Sequence, residues 1–300
     1  MGILLDAETR VCVVGITGGR ARADTERNLA YGTRIVCGVA PGRRGQRVAG
    51  VPVYDSCAEA AADHRIDAVI AYLPPRVYRS ALDDILAVGP AWVHVVTEGI
   101  PLHDNVAGLA AARAAGVRLI GPNTSGIITP GQAKVGFLGH ATWLMSPGRV
   151  AVLSRSGGFT HDLAYLVSQA GYGVSTAVAI GGDAVVGQSF ADLIELCEAD
   201  PGTDAVVMYG EAGPALEHQV ADAIAAGRFG KPVVALIAGD FLDDHERGSV
   251  FGHAGAFLEG PDTRAAAKRD VLRAAGAYVA TSVDDIPGLL RAAGVPRNQQ

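Results

Sequence analysis

The stretch Arg10-Val11-Cys12-Val13-Val14-Gly15-Ile16-Thr17-Gly18-Gly19-Arg20-Ala21-Arg22 decides the fold. Its apolar run is too short for a helix and reads as a strand buried on both faces. The run passes directly into a glycine-rich turn. Such a turn lets the backbone approach a phosphate at the N-terminus of the next helix. The spacing is not Gly-x-Gly-x-x-Gly, so a plain strand–helix turn is the alternative; Arg20 and Arg22 favour an anion.

Further along the chain the pattern repeats. Residues 34–38, 68–73, 92–96 and 117–120 are short apolar runs, and the alanine-rich stretches 58–63, 80–88 and 106–115 lie between them as helices. Regular alternation of strand and helix predicts a parallel sheet, with ligands at the carboxyl ends of its strands. Gly121-Pro122-Asn123 stops the last strand, and 127–148 shows no clear period and reads as a connector. A second series begins at Arg149, with strands at 150–154, 174–179, 205–209 and 233–238 and helices at 159–170, 188–199, 215–226 and 263–275. A last strand at 277–280 and a last helix at 283–292 complete two α/β domains.

Composition narrows the function. Of 300 residues, 49% are hydrophobic and 19% charged, which suits a compact core. A formal net charge of -6 argues against general nucleic-acid binding. No apolar run approaches ~18 residues, so no membrane span is expected. The first residues lack a signal-peptide pattern and do not complete a myristoylation motif. Cys12, Cys37, Cys57 and Cys197 have no CxxC spacing and read as buried thiols, with no metal site. The cytoplasm is the expected compartment.

The loops after the strands carry the candidate chemistry. After the second strand an NAD-binding fold places an acidic residue for the ribose hydroxyls. Here the chain reads Gly38-Val39-Ala40-Pro41-Gly42-Arg43-Arg44-Gly45. Two arginines in that turn suit a phosphorylated ribose, as in NADP or coenzyme A, or else a solvated basic loop. Val96-Thr97-Glu98-Gly99-Ile100-Pro101 and Gly121-Pro122-Asn123-Thr124-Ser125-Gly126 follow later strands of the same series. In the second half, Ser154-Arg155-Ser156-Gly157-Gly158 forms a hydroxyl- and glycine-rich anion turn, with Ser156 as a helix cap. Gly181-Gly182-Asp183 and Gly210-Glu211 also end strands. Gly252-His253-Ala254-Gly255-Ala256 leaves an imidazole bare among small residues. A histidine, a carboxylate to orient it and an anion cradle are the parts that make and hold a phosphohistidine. A satisfied loop histidine is the alternative, and most of the other seven histidines are expected at the surface.

Taken in order, these motifs resemble the α subunit of succinyl-CoA synthetase and related nucleoside-diphosphate-forming acyl-CoA ligases, over nearly the whole chain. Ala30-Tyr31-Gly32-Thr33, Ile128-Thr129-Pro130-Gly131 and Ile180-Gly181-Gly182-Asp183 add to the likeness. The resemblance implies a Rossmann-like CoA-binding domain at 1–126, a connector at 127–148 and a flavodoxin-like CoA-ligase domain at 149–300. It implies that His253 is transiently phosphorylated and Glu211 orients it, and that Ser154, Ser156, Gly157 and Gly158 hold the phosphoryl group. By the same likeness Thr17, Gly18, Gly19, Arg20, Arg43, Val96, Thr97 and Glu98 line the CoA site. Mg²⁺ and ATP or GTP would belong to an ATP-grasp β subunit, in a heterodimer or heterotetramer. Four departures stand out. The first loop is not the family's Thr-Gly-Ser-Gln-Gly-Thr. Thr124 and Ser125 replace Cys-Pro, Arg43 replaces a lysine, and His161 stands where the family shows the acid a tyrosine. These changes imply an acid other than succinate. An NADP-dependent oxidoreductase would leave His253 without a role. A non-catalytic CoA-binding regulator would bind CoA without a phosphohistidine.

Overall fold

The computed structural model describes residues 2–138, 142–242, 253 and 260–298. The N-terminal half runs β1 (Val11–Val14), α1 (Gly19–Tyr31), β2 (Ile35–Val39), β3 (Arg47–Val48), β4 (Val51–Tyr54), α2 (Cys57–Asp63), β5 (Ala68–Ala71), α3 (Tyr78–Ala87), β6 (Trp92–Val95), α4 (Leu102–Ala114) and β7 (Arg118–Ile120). The strands lie in the order β3-β4-β2-β1-β5-β6-β7, all parallel except the β3–β4 hairpin. Every residue of β1, β5 and β6 is buried, as continuous apolar runs require when helices cover both faces. β1 lies between β2 and β5, so the chain order reverses there and a crevice opens at the carboxyl ends of β1 and β5.

The C-terminal half continues with β8 (Gly126–Thr129), β9 (Ala133–Gly136), β10 (Pro147–Ser154), α5 (Gly157–Gln169), β11 (Val174–Ala179), α6 (Phe190–Ala199), β12 (Ala205–Glu211), α7 (Leu216–Ala225), β13 (Val233–Ala238), α8 (Ala265–Ala274), β14 (Tyr278–Ala280) and α9 (Ile286–Ala292). Its order is β14-β13-β12-β10-β11-β8-β9. Here β10 sits between β11 and β12, which creates a second switch point at its carboxyl end. The stretch at 127–148 is not merely a connector. It supplies most of β8 and all of β9, an antiparallel hairpin that extends this sheet beside β11. Strands of four residues turning through Pro130-Gly131 are too short to show a period.

The two halves share one apolar core. Leu5, Ile70 and Ile120 join Ile127, Val135, Leu153 and Val178 in a continuous buried cluster. Each fully buried aliphatic side chain contributes roughly 1.5–3 kcal/mol. Polar ties cross the same seam: Thr129 Oγ1 donates to Leu5 O, and Thr33 Oγ1 donates to Lys134 O. All four cysteines are free and buried. No described helix is long and apolar enough to cross a membrane.

One buried charge pair joins α7 to α8. Lys268 Nζ lies 2.6 Å from Glu217 Oε2, with both side chains fully buried. Lys268 also donates to the carbonyls of Glu211 and Pro214. Glu217 Oε1 accepts the Glu211 backbone N–H. Burial lowers the Lys268 pKa and the Glu217 carboxylate opposes that shift. Lys268→Met strands the Glu217 charge and should cost about 3–5 kcal/mol in urea unfolding. Adding Glu217→Gln removes the stranded charge, keeps an acceptor for Glu211 N–H, and should recover part of the loss. A single-variant loss well under about 1 kcal/mol would show that the pair is immaterial.

Candidate functional site

The first crevice is a groove of about 930 Å³. Thr17, Gly18, Gly19, Arg20, Arg43, Val96 and Thr97 line it, together with Tyr72, Leu73 and Ser56. α1 starts at this groove with no side-chain cap and no acidic residue in its first turn, so the positive end of its dipole meets no opposing side chain there. Asp55 Oδ1 accepts the backbone N–H groups of Arg43 and Arg44, which folds the basic turn and leaves the Arg43 side chain at the groove. Arg22 donates to Thr17 O and Arg44 pairs with Glu59, so neither lines the groove. Thr97 Oγ1 donates to Leu73 O and ties the ends of β5 and β6. Glu98 departs from expectation. It is exposed and does not line the groove; its negative charge acts on Asp183 and His253 instead.

The second crevice gathers the ends of β10, β11 and β12. His253 Nδ1 lies 2.8 Å and 3.0 Å from the two oxygens of Glu211. Arg155 Nε donates to Glu211 Oε1 at 2.9 Å, and Arg155 Nη2 donates to the carbonyls of Gly182 and Asp183. This guanidinium is 1% exposed, so the carboxylate and carbonyls replace its lost water. Gly182 is required by proximity. A Cβ there would fall 2.6 Å from His253 Cδ2, so the imidazole rests directly on the backbone. Gly252, Ala254, Gly255 and Ala256 lie outside the described residues.

Electrostatics follow from these contacts. The Glu211 hydrogen bond raises the His253 pKa, while burial and Arg155 oppose it. Burial pushes the Glu211 carboxyl up, but His253 and Arg155 outweigh it and the net shift is downward. Asp183 is raised by burial, partly offset by the Asn123 amide that donates to it.

A cavity of about 390 Å³ connects His253 with Asn123, Thr124, Ser125, Phe137, Gly157, Gly158, His161 and Asp162. Ser156 caps α5 through the Phe159 N–H, and no acidic residue occupies the first turn. Gly157 and Gly158 line the cavity; Ser154 and Ser156 shape the turn behind them. Ser154 is buried, accepts the Ser156 N–H and donates to Ser156 O. His161 lies in the same cavity as His253. Arg155, Gly182, Asn123 and Ser125 were not singled out as site residues from sequence, although each lies within a quoted loop motif. His94, one of the seven histidines of which most were expected at the surface, is fully buried on β6 against Thr124, and burial lowers its pKa to about 3. Among the described residues no group of three or more His, Cys, Asp or Glu is placed to hold a metal.

Two parallel-rich sheets, each with a crevice at its switch point, define a two-part α/β fold of the kind that binds ligands at strand ends, and comparison with known proteins gives its class. Residues 6–99 match the CoA binding domain and residues 147–293 the succinyl-CoA ligase like flavodoxin domain. The chain is 42% identical over 291 residues to the α subunit of an ADP-forming succinate–CoA ligase from Methanothermobacter thermautotrophicus, covering 97% of this chain and 96% of that one. It is 38% identical over 301 residues to an ADP-forming sulfoacetate–CoA ligase subunit from Acholeplasma sp, covering 99% and 100%. An ATP citrate lyase from Methanothrix soehngenii, solved with citrate and coenzyme A, superimposes with a TM-score of 0.91 at 27% identity. That match covers 99% of this chain, which spans 52% of the lyase chain. The chain belongs to the succinyl-CoA ligase α-subunit family of acid–thiol ligases.

The linkage between Glu211 and His253 sets a pH expectation. Their mutual stabilisation holds between the lowered pKa of Glu211 and the raised pKa of His253. It is lost as pH falls through the first or rises through the second. Glu211→Gln removes the main upward influence on His253 and leaves burial, which acts downward. NMR titration of the His253 ring should therefore move to lower pH in the variant. An unchanged or higher midpoint would contradict the contact.

Proposed function

We propose that this chain is the CoA-binding, phosphohistidine-carrying subunit of a nucleoside-diphosphate-forming acyl-CoA ligase. The reaction is acid + CoA + NTP ⇌ acyl-CoA + NDP + phosphate. One observation carries the reading: Glu211 engages His253 Nδ1, and the same ring lines a cavity that contains the N-terminus of α5. With Nδ1–H directed at the carboxylate, Nε2 keeps its lone pair and is the nucleophile. It attacks the γ-phosphorus of the nucleotide and NDP leaves. The Gly157 and Gly158 N–H groups and the dipole of α5 stabilise the phosphoryl oxygens. A substrate carboxylate oxygen then attacks that phosphorus and frees Nε2, giving an acyl phosphate. The CoA thiol, deprotonated as it attacks, adds to the acyl carbon and phosphate departs.

Nucleotide and Mg²⁺ come from a separate ATP-grasp β subunit, with ATP or GTP as donor, in a cytoplasmic heteromer. The relatives named as α subunits support a second subunit. An NADP-dependent reductase gives the Glu211–His253 pair nothing to do. A silent CoA-binding regulator does not need an open anion cradle beside a poised imidazole.

Two measurements test this reading. With the co-purified ATP-grasp partner, Mg²⁺ and γ-labelled nucleotide, label should enter this chain as an acid-labile, base-stable adduct. His253→Ala should abolish it, and Glu211→Gln should slow it by the equivalent of about 2–4 kcal/mol. Full labelling of His253→Ala would sink the assignment. Calorimetry should show CoA binding more tightly than dephospho-CoA, with Arg43→Ala narrowing the gap about tenfold through loss of a charge-assisted contact. Tighter binding of NADPH than of CoA would reverse the reading of the groove.

A further inference from the structure

A further cavity, of about 380 Å³, opens along α1 beside the first crevice. Arg20, Asp24 and Arg27 reach it from one face of α1, at i, i+4 and i+7. Lys134 on β9 and Phe137 just after it form the opposite wall. Apart from Arg20, none of these residues has a part in the reaction above.

Two of them are buried charges. Lys134 is 5% exposed, and its ammonium forms no ion pair or hydrogen bond among the described residues; the Tyr31 ring lies 5.7 Å away. Thr33 fixes the Lys134 backbone from both sides, because its hydroxyl accepts the Lys134 N–H and donates to Lys134 O. Burial lowers the Lys134 pKa; the Asp24 charge opposes that shift and Arg27 adds to it. An anion beside the ammonium would offset the cost of burying it. Asp24 is 1% exposed. Its Oδ1 accepts from Arg27 Nη1 at 3.1 Å, while its Oδ2 is buried without a hydrogen-bond partner. Tyr72 faces the same carboxylate from the first crevice. Burial and then Asp24 raise its pKa, and its hydroxyl makes no hydrogen bond either. Native folds leave few buried oxygens unsatisfied, so Asp24 Oδ2 calls for a donor.

The donors and acceptors define the ligand. Three cations and one carboxylate line the cavity, which favours an oxyanion. The spare carboxylate oxygen requires that this oxyanion also carry a proton. Hydrogen phosphate meets both demands at neutral pH, with P–O oxygens for the cations and a P–OH for Asp24. Sulfate has no proton to give and would set a lone pair against Oδ2.

We propose that this cavity binds inorganic hydrogen phosphate, gripped by Lys134, Arg20 and Arg27 and recognised through its P–OH by Asp24. The site stands whether or not the ligase reading holds. Where that reading holds, phosphate is a product. Phe137 is a shared wall of this cavity and the one around His253, so the site keeps phosphate just outside the reaction cavity.

Equilibrium dialysis of the chain with labelled inorganic phosphate, without nucleotide, tests this. The anion turn at α5 is another place for phosphate, so the readout is the difference between wild type and variants. Lys134→Met should remove about one bound phosphate per chain, and Lys134→Gln, which keeps a donor, should weaken that site about tenfold. In competition, wild type should prefer phosphate to sulfate, and Asp24→Asn should shrink that preference by about tenfold or more. Asp24→Asn keeps the side-chain shape, so it decides the matter even if Lys134→Met fails to fold. Unchanged binding in both Lys134 variants, or sulfate displacing phosphate from wild type as well as phosphate itself does, would overturn the proposal. The phosphomonoester of CoA is the other source of a protonated phosphate group. Lys134-dependent phosphate should stay bound when CoA is added. Its displacement by CoA but not by dephospho-CoA would assign the cavity to CoA and exclude free phosphate as its ligand.

Discussion

A buried guanidinium holds the strand ends around His253 together. Arg155 leaves the end of β10 and reaches Glu211 at the end of β12 and the carbonyls of Gly182 and Asp183 after β11. Three strand ends are thereby fixed around one charge that has almost no access to water. The attraction is strong because the surroundings are dry, and three oxygens offset the desolvation of Nε and Nη2, while Nη1 is buried with no hydrogen-bond partner among the described residues. Glu211 in turn holds His253. Behind Glu211, its backbone N–H and carbonyl are anchored by Glu217 and Lys268. The imidazole is thus positioned by two layers of buried charge, which suits the phosphoryl transfer proposed for it.

The two crevices meet at a single stack. The Arg20 guanidinium lies 4.4 Å from the centre of the Phe137 ring. Arg20 lines the groove at the ends of β1 and β5, while Phe137 lines the cavity that contains His253. On the ligase reading, a thiol held in the first crevice and an acyl group held in the second would face each other across this cation–π contact. The common apolar core beneath this contact keeps the two sheets in register. The ligase reading requires this, because the reacting groups belong to different halves of the chain.

Much of the architecture was legible because parallel strands covered on both faces appear as uninterrupted Val, Ile and Ala runs. The runs at 174–179 and 233–238 coincide with β11 and β13, and 205–209 is the inner part of β12. The hairpins were not legible. β3 has only two residues, and β8 and β9 have four each, so neither period nor length distinguishes them from loop. They exist because an existing sheet edge offers hydrogen bonds to any extended segment placed beside it. His94 escaped for a related reason. Its neighbours Val93 and Val95 mark a buried strand, but a histidine letter does not show whether Thr124 will be there to meet its ring.

The sequence alone determined the succession of the longer strands and helices, the glycine-rich turns at their carboxyl ends, and the candidate groups for the chemistry: an imidazole, a carboxylate, a hydroxyl- and glycine-rich anion turn and a basic Pro/Gly turn. Those follow from local periodicity and residue chemistry, which a linear pattern records. Only the tertiary structure decided which of these groups meet. It moved Glu98 out of the CoA groove and into the field of His253, and it set Ser154 behind the anion turn as a brace. It also brought Ser125 and His161 to one cavity and buried Lys268 against Glu217. Each of these depends on strand ends far apart in sequence closing on a common switch point. That closure is fixed by packing the two sheets on a shared core, and no local stretch of the chain encodes it.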